Sequence, residues 1–249
     1  MTDLHLIVLA AGQGTRMKST MPKVLHPVAH KPMVHHVLAV AEACKAASVT
    51  GVVSPGMPAI EAAFGEHKLA VQQQALGTGD AVKAGLSAIP EDASGIAVVL
   101  YADTPLVRQE TVEALVKPII DGQAAVTFFA MRVDEPGAYG RMVTDADGAL
   151  LRITEAREAD EATLAINLCN GGFCAFDLGK ARGLVHQIDN QNNKGEYYVT
   201  DLVEIARDAG HGVHAVEGDP TDAMGVNDRA DLALVEAAMQ KRLRTHHML

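Results

Sequence analysis

The stretch that decides the fold is Leu6-Ile7-Val8-Leu9-Ala10-Ala11, which leads directly into Gly12-Gln13-Gly14-Thr15-Arg16. A continuous apolar run of this length is typical of a strand that is buried on both faces of a sheet. The glycines then predict a tight turn out of that strand. In open parallel sheets ligands bind beyond the carboxyl ends of the strands, so this turn is the first candidate for a binding site.

The rest of the first half alternates between strand-like and helix-like segments. Strands are predicted at 49–53, 69–72, 96–101 and 124–132, and helices at 33–46, 58–64, 79–88 and 111–120. This order, with short joints that contain Gly and Pro, predicts an α/β protein with a Rossmann-like, mostly parallel sheet and helices on both faces.

The pattern changes after about residue 133 and indicates a smaller antiparallel lobe. Strands are predicted at 139–144, 149–154, 164–176 and 212–216, a turn at Asp147-Gly148, and helices at 198–209 and 229–243. We expect a single domain over residues 1–249, with a first half to about 132, the antiparallel lobe over about 133–228 and a C-terminal helix over 229–249.

Composition and charge exclude several classes of protein. The 249 residues carry a net charge of −10, with 4% aromatic residues and no Trp, which argues against nucleic-acid binding. The N-terminal residues lack a basic segment and no apolar run reaches 18 residues. We therefore expect no signal peptide, no membrane span and a cytoplasmic location.

Cysteine and histidine spacing predicts neither a disulfide framework nor a zinc site. The three cysteines, Cys44, Cys169 and Cys174, form no CxxC pair, and we expect the last two to be small buried apolar residues. The pairs His35-His36 and His246-His247 have no partners at metal-ligand spacing, which favours structural or surface roles.

The glycine loop fails the two common tests for a phosphate-binding motif. A dinucleotide fingerprint requires a glycine three residues after Gly14, where the chain has Met17. A Walker A loop requires a glycine immediately before Lys18-Ser19, and that position is again Met17. The glycines alone therefore leave open a phosphate-binding loop and a plain turn.

The neighbouring residues extend the loop into a long motif. With Met17 and then Pro22-Lys23-Val24-Leu25, the run from Leu9 onward closely resembles the signature of the sugar-1-phosphate nucleotidyltransferases. The resemblance implies their nucleotide-diphospho-sugar transferase fold. It also implies that Arg16 and Lys23 contact phosphates as catalytic cations. The residues that it implies around the nucleotide are Leu9, Ala10, Ala11, Gly12 and Gly14.

Further segments narrow the resemblance over about residues 5–240 to the uridylyltransferase domain of N-acetylglucosamine-1-phosphate uridylyltransferases. The matching segments are Gln72 with Leu76-Gly77-Thr78-Gly79, Tyr101 to Leu106, Tyr139-Gly140-Arg141, Gly195 to Asp201, and Gly225-Val226-Asn227-Asp228. The implied roles are uracil recognition for Gln72, Gly77 and Thr78, sugar binding for Tyr101, Gly140, Glu155, Asn170, Tyr198 and Thr200, and Mg²⁺ coordination for Asp103 and Asn227. The first half then binds the nucleotide and the smaller lobe faces the sugar.

Each of these residues, taken alone, has a structural interpretation as well. Asp103 suits a helix N-cap near Pro105, and Asn227 suits a turn or a cap. Glu155 suits a solvated surface, Gln72 to Gln74 a solvated strand end, and Tyr197 and Tyr198 core rings with hydroxyls at the surface. The joint order and spacing of the segments favour the functional interpretation.

The chain departs from the family pattern in four places. Ala102 replaces a glycine before the aspartate, and Glu155 is followed by Ala156-Arg157 instead of His-Lys. Cys169-Asn170-Gly171-Gly172 keeps the asparagine with altered neighbours, so the sugar's identity stays open. The family's C-terminal hexapeptide repeats do not occur in this sequence, so acetyl transfer is not part of the prediction and we expect a monomer or weak dimer.

The resemblance implies an enzyme of the UDP-N-acetylglucosamine diphosphorylase type, which serves peptidoglycan and cell-wall biogenesis. Its expected reaction is Mg²⁺-dependent uridylyl transfer from UTP to N-acetylglucosamine 1-phosphate. The alternatives are the same chemistry on N-acetylmuramic acid 1-phosphate or glucose 1-phosphate, a cytidylyl- or molybdopterin-type nucleotidyltransferase, and a non-catalytic domain that binds nucleotide sugars.

Overall fold

The computed structural model describes residues 2–145 and 149–248, without the side chains of residues 246–248. The strands are β1 (Leu4–Leu9), β2 (Pro27–Val28), β3 (Lys31–Pro32), β4 (Ser48–Val53), β5 (Lys68–Val71), β6 (Ile96–Tyr101), β7 (Val126–Arg132), β8 (Arg141–Thr144), β9 (Leu150–Thr154), β10 (Leu168–Asp177) and β11 (Val213–Glu217). The helices are α1 (Met33–Ala43), α2 (Pro58–Ala63), α3 (Thr78–Ser87), α4 (Gln109–Ile120), α5 (Glu161–Leu164), α6 (Leu178–Val185), α7 (Leu202–Asp208) and α8 (Arg229–Met248).

The main sheet is mixed and mostly parallel. Its order is β11-β7-β10-β6-β1-β4-β5, and β10 runs antiparallel to both β6 and β7. Strands β8 and β9 pair with each other and attach through β10. This architecture confirms the predicted fold class, including the smaller antiparallel lobe.

Strand β1 lies between β4 and β6, and it is buried on both faces as its sequence predicts. Leu6, Ile7 and Val8 are each 0% exposed. Leu6 and Val8 pack with residues of α1 and α4 on one face, whereas Ile7 packs with residues of α3, α6 and α7 on the other. The two hydrophobic cores therefore lie on opposite faces of the sheet.

Several predicted boundaries are wrong because local backbone conformation overrides the apolar pattern. Helix α1 ends at Ala43 instead of residue 46, and Lys45 adopts a left-handed conformation with a φ of 52°. The predicted helix at 198–209 begins as a 3-10 helix at Val199–Asp201, and α7 follows it.

Two helices of the smaller lobe are absent from the sequence prediction. Residue 164 belongs to α5, and β10 begins only at Leu168, because Asp160 accepts a hydrogen bond from the Thr163 N–H and caps a short helix. Asp177 caps α6 in the same way through the Lys180 N–H. The predicted turn at Asp147-Gly148 and the side chains of His246 and His247 lie outside the described residues.

The C-terminal helix α8 is bound to the sheet domain by an ion cluster around the buried side chain of Asp222. Asp222 is 1% exposed and accepts hydrogen bonds from Arg108, Thr111 and Arg242. Arg242 lies on α8 and also donates to the Leu106 carbonyl at 2.7 Å. None of the helices over 2–145 and 149–248 combines the length and the apolar character that crossing a membrane requires.

We expect Gly85→Ala in α3 to lower the free energy of unfolding by about 1–2 kcal/mol, since the cost of overpacking exceeds the gain in helix propensity. A Cβ there would lie 2.4 Å from Ile7 Cγ2 and 2.9 Å from Val52 Cγ2. Urea unfolding of wild type and variant measures the change.

Gly183→Ala in α6 is the matched control, because its Cβ meets no atom within 4 Å. We expect this variant to gain about 0.5–1 kcal/mol. Equal effects at the two positions would contradict close packing of α3 on the sheet.

Candidate active site

A cleft of about 440 Å³ opens beyond the carboxyl ends of β1, β5 and β6. It is lined by Leu9, Ala10, Ala11, Gly12, Lys23, Val24, Gln72, Ala75, Gly77, Thr78, Ala81, Tyr101, Asp103, Glu155, Lys194, Glu196 and Tyr198. Twelve of the residues predicted from the sequence are among them. The other six, Gly14, Arg16, Gly140, Asn170, Thr200 and Asn227, lie outside this lining.

The glycine loop places Lys23 at the cleft. Gly14 has a φ of 62°, and a Cβ on it would lie 2.5 Å from Lys23 Cβ. Glycine is therefore needed at this position both for its backbone conformation and for the close approach of Lys23. Gly14 acts by positioning the lysine and does not itself line the cleft.

Two cations of the loop pair with the two residues predicted to bind metal. Lys23 forms an ion pair with Asp103, and their side chains are 11% and 18% exposed. Arg16 Nη2 donates to Asn227 Oδ1 at 3.0 Å. The Val226 N–H donates to the Asp103 carbonyl at 2.9 Å, which brings the segment before α8 beside the end of β6. The four residues therefore converge from three distant parts of the chain.

The oxygens of Asp103 and Asn227 fit a magnesium ion better than a metal held by protein alone. Within the residues that the structure describes, no cluster of three or more His, Cys, Asp or Glu side chains is arranged to hold a metal. Mg²⁺ commonly takes one or two protein oxygens and completes its shell with water and substrate phosphates. One carboxylate and one amide oxygen beside two cations suit that arrangement.

The segment Leu76 to Gly79 is fixed against the segment around Tyr197. The Tyr197 N–H donates to the Leu76 carbonyl at 2.7 Å, and the Gly79 N–H donates to the Tyr197 carbonyl at 2.7 Å. Gly77 has a φ of 114°, and its Cβ would lie 2.5 Å from that carbonyl oxygen. The Val199 N–H donates to Thr78 Oγ1 at 3.1 Å. One wall of the cleft is thus built from two remote segments.

Three of the predicted sugar-binding residues line the cleft, and two others support one of them from behind. Tyr101, Glu155 and Tyr198 form part of the lining. Asn170 Oδ1 accepts from the Gly172 N–H at 2.9 Å, and the Asn170 N–H donates to the Gly140 carbonyl at 2.9 Å.

This support depends on a glycine beside the Tyr101 ring. Gly172 has a φ of 93°, and its Cβ would lie 3.2 Å from Tyr101 Cε2. Asn170 and Gly140 therefore help to hold the irregular part of β10 that packs beside the tyrosine ring. Thr200, the remaining residue of this set, is buried, with 5% of its surface exposed.

Comparison with known proteins now identifies the family. A family model described as MobA-like NTP transferase domain matches residues 6–165. The chain belongs to this family.

Relatives called bifunctional protein GlmU match almost the whole chain. The one from Paracoccus denitrificans (strain Pd 1222) is 44% identical over 96% of this chain and 53% of its own length. The one from Brevibacillus brevis (strain 47) is 42% identical over 100% of this chain and 54% of its own length. This NTP transferase domain therefore spans about half the length of the curated relatives that it matches, and the prediction of a nucleotidyltransferase is confirmed.

The structure contradicts the structural interpretations given for Asp103, for Asn227 as a cap and for Gln72, whereas Tyr197 and Tyr198 do pack against or within the core. Asp103 caps no helix, because the N-cap of α4 is Arg108. Asp228, and not Asn227, accepts from the Ala230 and Asp231 N–H groups at the start of α8. Gln72 is 6% exposed, so it is not a solvated strand end. Cys169 and Cys174 are buried as predicted.

Sequence reasoning missed two charged residues of the cleft, Lys194 and Glu196. Lys194 precedes the long motif from Gly195 to Asp201, and Glu196 belongs to it. That motif is the signal from which both residues could have been predicted. Burial raises the pKa of Glu155 above its ordinary value; Lys194 opposes this shift, and Glu158 and Glu196 reinforce it. A smaller cavity of about 220 Å³ continues past Glu155, Lys194 and Tyr198.

The acidic surroundings also affect Asp201, which precedes α7. Its burial, together with the nearby carboxylates of Glu204, Asp189, Glu158 and Glu155, raises its pKa to about 6. Because the folded-state pKa lies above the ordinary value of 3.8, ionisation of Asp201 costs stability as the pH rises from about 4 to about 6.

We therefore expect Asp201→Asn to raise the melting temperature by about 2–4 °C at pH 7.5, where it removes this cost, and to change it little at pH 4.5. Thermal unfolding at both pH values measures the difference. Asp208→Asn, at the exposed end of the same helix, removes the same charge without the burial and serves as the control. An equal shift for Asp201→Asn at the two pH values would rule out the raised pKa.

Proposed function

We propose that this domain transfers a uridylyl group from UTP to a sugar 1-phosphate in a Mg²⁺-dependent reaction, with N-acetylglucosamine 1-phosphate as the favoured acceptor. The products are UDP-N-acetylglucosamine and pyrophosphate. The observation that carries the proposal is the ion pair of Lys23 and Asp103 in the cleft beyond the end of β1, with Arg16 and Asn227 paired beside it.

The proposed chemistry needs no nucleophile from the protein. A phosphate oxygen of the sugar 1-phosphate attacks the α-phosphorus of UTP and forms the new P–O bond. The bond between the α-phosphorus and the bridging oxygen to the β-phosphorus breaks, and that oxygen leaves with pyrophosphate. The acceptor phosphate is already ionised at neutral pH, so catalysis consists of positioning and charge neutralisation.

The chain's own residues supply both effects. Lys23 and Arg16 provide fixed positive charge for phosphate oxygens that become more negative during transfer. Asp103 and Asn227 would hold the Mg²⁺ ion through their side-chain oxygens. When bound, that ion neutralises phosphate charge and orients the oxygens to which it is attached.

The proposal assigns the two halves of the cleft to the two substrates. Residues up to about 132, with the glycine loop, Gln72, Gly77 and Thr78, bind the nucleotide. Residues of about 133–228 bind the sugar, with Tyr101 from the end of β6. Glu155 lines this side, and its carboxylate oxygens can accept hydrogen bonds from sugar hydroxyls. A monomer or weak dimer stays a prediction.

We expect Lys23→Met to lower kcat/KM for uridylyl transfer by about 10²–10³-fold, because one cationic contact to the transferring phosphate is lost. Asp103→Asn should cause a loss of the same order. Pyrophosphate release from UTP and N-acetylglucosamine 1-phosphate measures both. Lys18→Met is the matched control, since Lys18 is an exposed lysine five residues before Lys23. Near-normal turnover of both variants would make the site assignment wrong.

A substrate panel tests the reaction itself. UTP, CTP and GTP are each offered with N-acetylglucosamine, N-acetylmuramic acid and glucose 1-phosphates, with and without Mg²⁺. We expect the fastest pyrophosphate release from UTP and N-acetylglucosamine 1-phosphate with Mg²⁺. Tight binding of UDP-sugars without turnover on any pair would favour a non-catalytic domain, and a preference for GTP would replace the proposed donor.

A further inference from the structure

The side-chain amide of Gln72 is held by two hydrogen bonds from the same nitrogen. Nε2 donates to the Gly77 carbonyl at 3.0 Å and to Asp80 Oδ2 at 2.9 Å. Gln72 lines the cleft and is 6% exposed, whereas Asp80 does not line the cleft. Asp80 therefore contacts the amide from behind.

These two partners fix which way the amide faces. A backbone carbonyl and an ionised carboxylate can only accept hydrogen bonds, so the NH₂ group must point toward them and the oxygen must point away. Asp80 lies in the first turn of α3, where a carboxylate interacts favourably with the partial positive charge of the helix N-terminus. Both amide hydrogens are then used within the protein.

The remaining polar atom of Gln72 is its oxygen. No residue of the described chain donates a hydrogen bond to Gln72 Oε1, and the atom is not among those sealed from solvent. Gln72 thus presents a hydrogen-bond acceptor to the cleft and no donor. A ligand edge that complements it must carry an N–H or O–H group.

Uracil and cytosine differ in whether their N3 atom donates or accepts a hydrogen bond. Uracil carries a hydrogen on N3 and offers a donor there, whereas N3 of cytosine is an acceptor. Cytosine placed in the same pose would set two acceptors against each other and leave both unpaired, which binding sites penalise more heavily than they reward one added contact.

We propose that Asp80 is a positioning residue for base selection, which holds the Gln72 amide so that its oxygen alone faces the base and the site prefers UTP to CTP. This inference rests on the proposed function, because it assumes that the base occupies the end of the cleft at Gln72. Asp80 itself acts through the glutamine and need not touch the nucleotide.

Removal of the carboxylate frees the amide to rotate. In the wild type, turning the NH₂ group toward the base breaks the hydrogen bonds to both Gly77 and Asp80. In Asp80→Ala only the Gly77 carbonyl remains as a partner, so the same rotation breaks one hydrogen bond instead of two. That orientation suits N3 of cytosine. We therefore expect Asp80→Ala to reduce the ratio of CTP to UTP dissociation constants by about tenfold, the effect of one hydrogen bond.

The experiment measures the dissociation constants of UTP and CTP by isothermal titration calorimetry, with Mg²⁺ and without a sugar phosphate. Asp80→Asn keeps an acceptor oxygen at the same place, and we expect it to retain most of the wild-type ratio. Gln72→Ala removes the amide, so adding Asp80→Ala to it should leave the ratio unchanged.

A merely structural role of Asp80 predicts a different pattern. In that case Asp80→Ala would lower the melting temperature or weaken the binding of UTP and CTP equally. An unchanged ratio of their dissociation constants in Asp80→Ala would overturn the inference. A further drop in the ratio on the Gln72→Ala background would overturn it too. Failure of the proposed function would give a different result. The wild-type protein would then bind neither UTP nor CTP, or it would prefer GTP.

Discussion

The rest of the structure depends on the burial of β1 on both of its faces. Leu6 and Val8 face one hydrophobic core and Ile7 faces the other, and the strand lies inside the sheet between β4 and β6. Its parallel neighbours β4 and β6 end at the same edge, and the polar residues that follow them are brought together there.

The charge of Lys23 at this edge is balanced by a carboxylate within the protein, whereas among the described residues the charge of Arg16 is not. Lys23 and Asp103 are both largely buried, and either of them unpaired would be costly in that place. Arg16 and Asn227 form a second pair beside them. The protein as a whole carries a net charge of −10, so a phosphate group meets attractive charge only locally. The glycine loop and its two cations provide that local attraction.

The sequence permits prediction of the elements that have a strong periodic pattern and not of those that tertiary contacts create. Strand β6 lies where the apolar run predicts it, from Ile96 to Tyr101. Helix α6 was missed because Gly179 and Gly183 weaken its helix propensity, and its helical form depends on packing of Leu178, Ala181, Leu184 and Val185. The candidate site residues could be predicted only through a long motif, since the partners Lys23 and Asp103 are 80 residues apart and no local pattern joins them.

The shape of the cleft depends on close contacts that glycine alone permits. Gly14 lets Lys23 approach, Gly77 lets the Tyr197 carbonyl approach, and Gly172 makes room for the Tyr101 ring. Each of them has a positive φ, so any other residue would meet both backbone strain and a short contact. At Gly77 the short contact is to backbone, which cannot move aside as a side chain can, and the same segment supplies the carbonyl that accepts from Gln72. The conformation of this glycine therefore positions the cleft wall and the amide together.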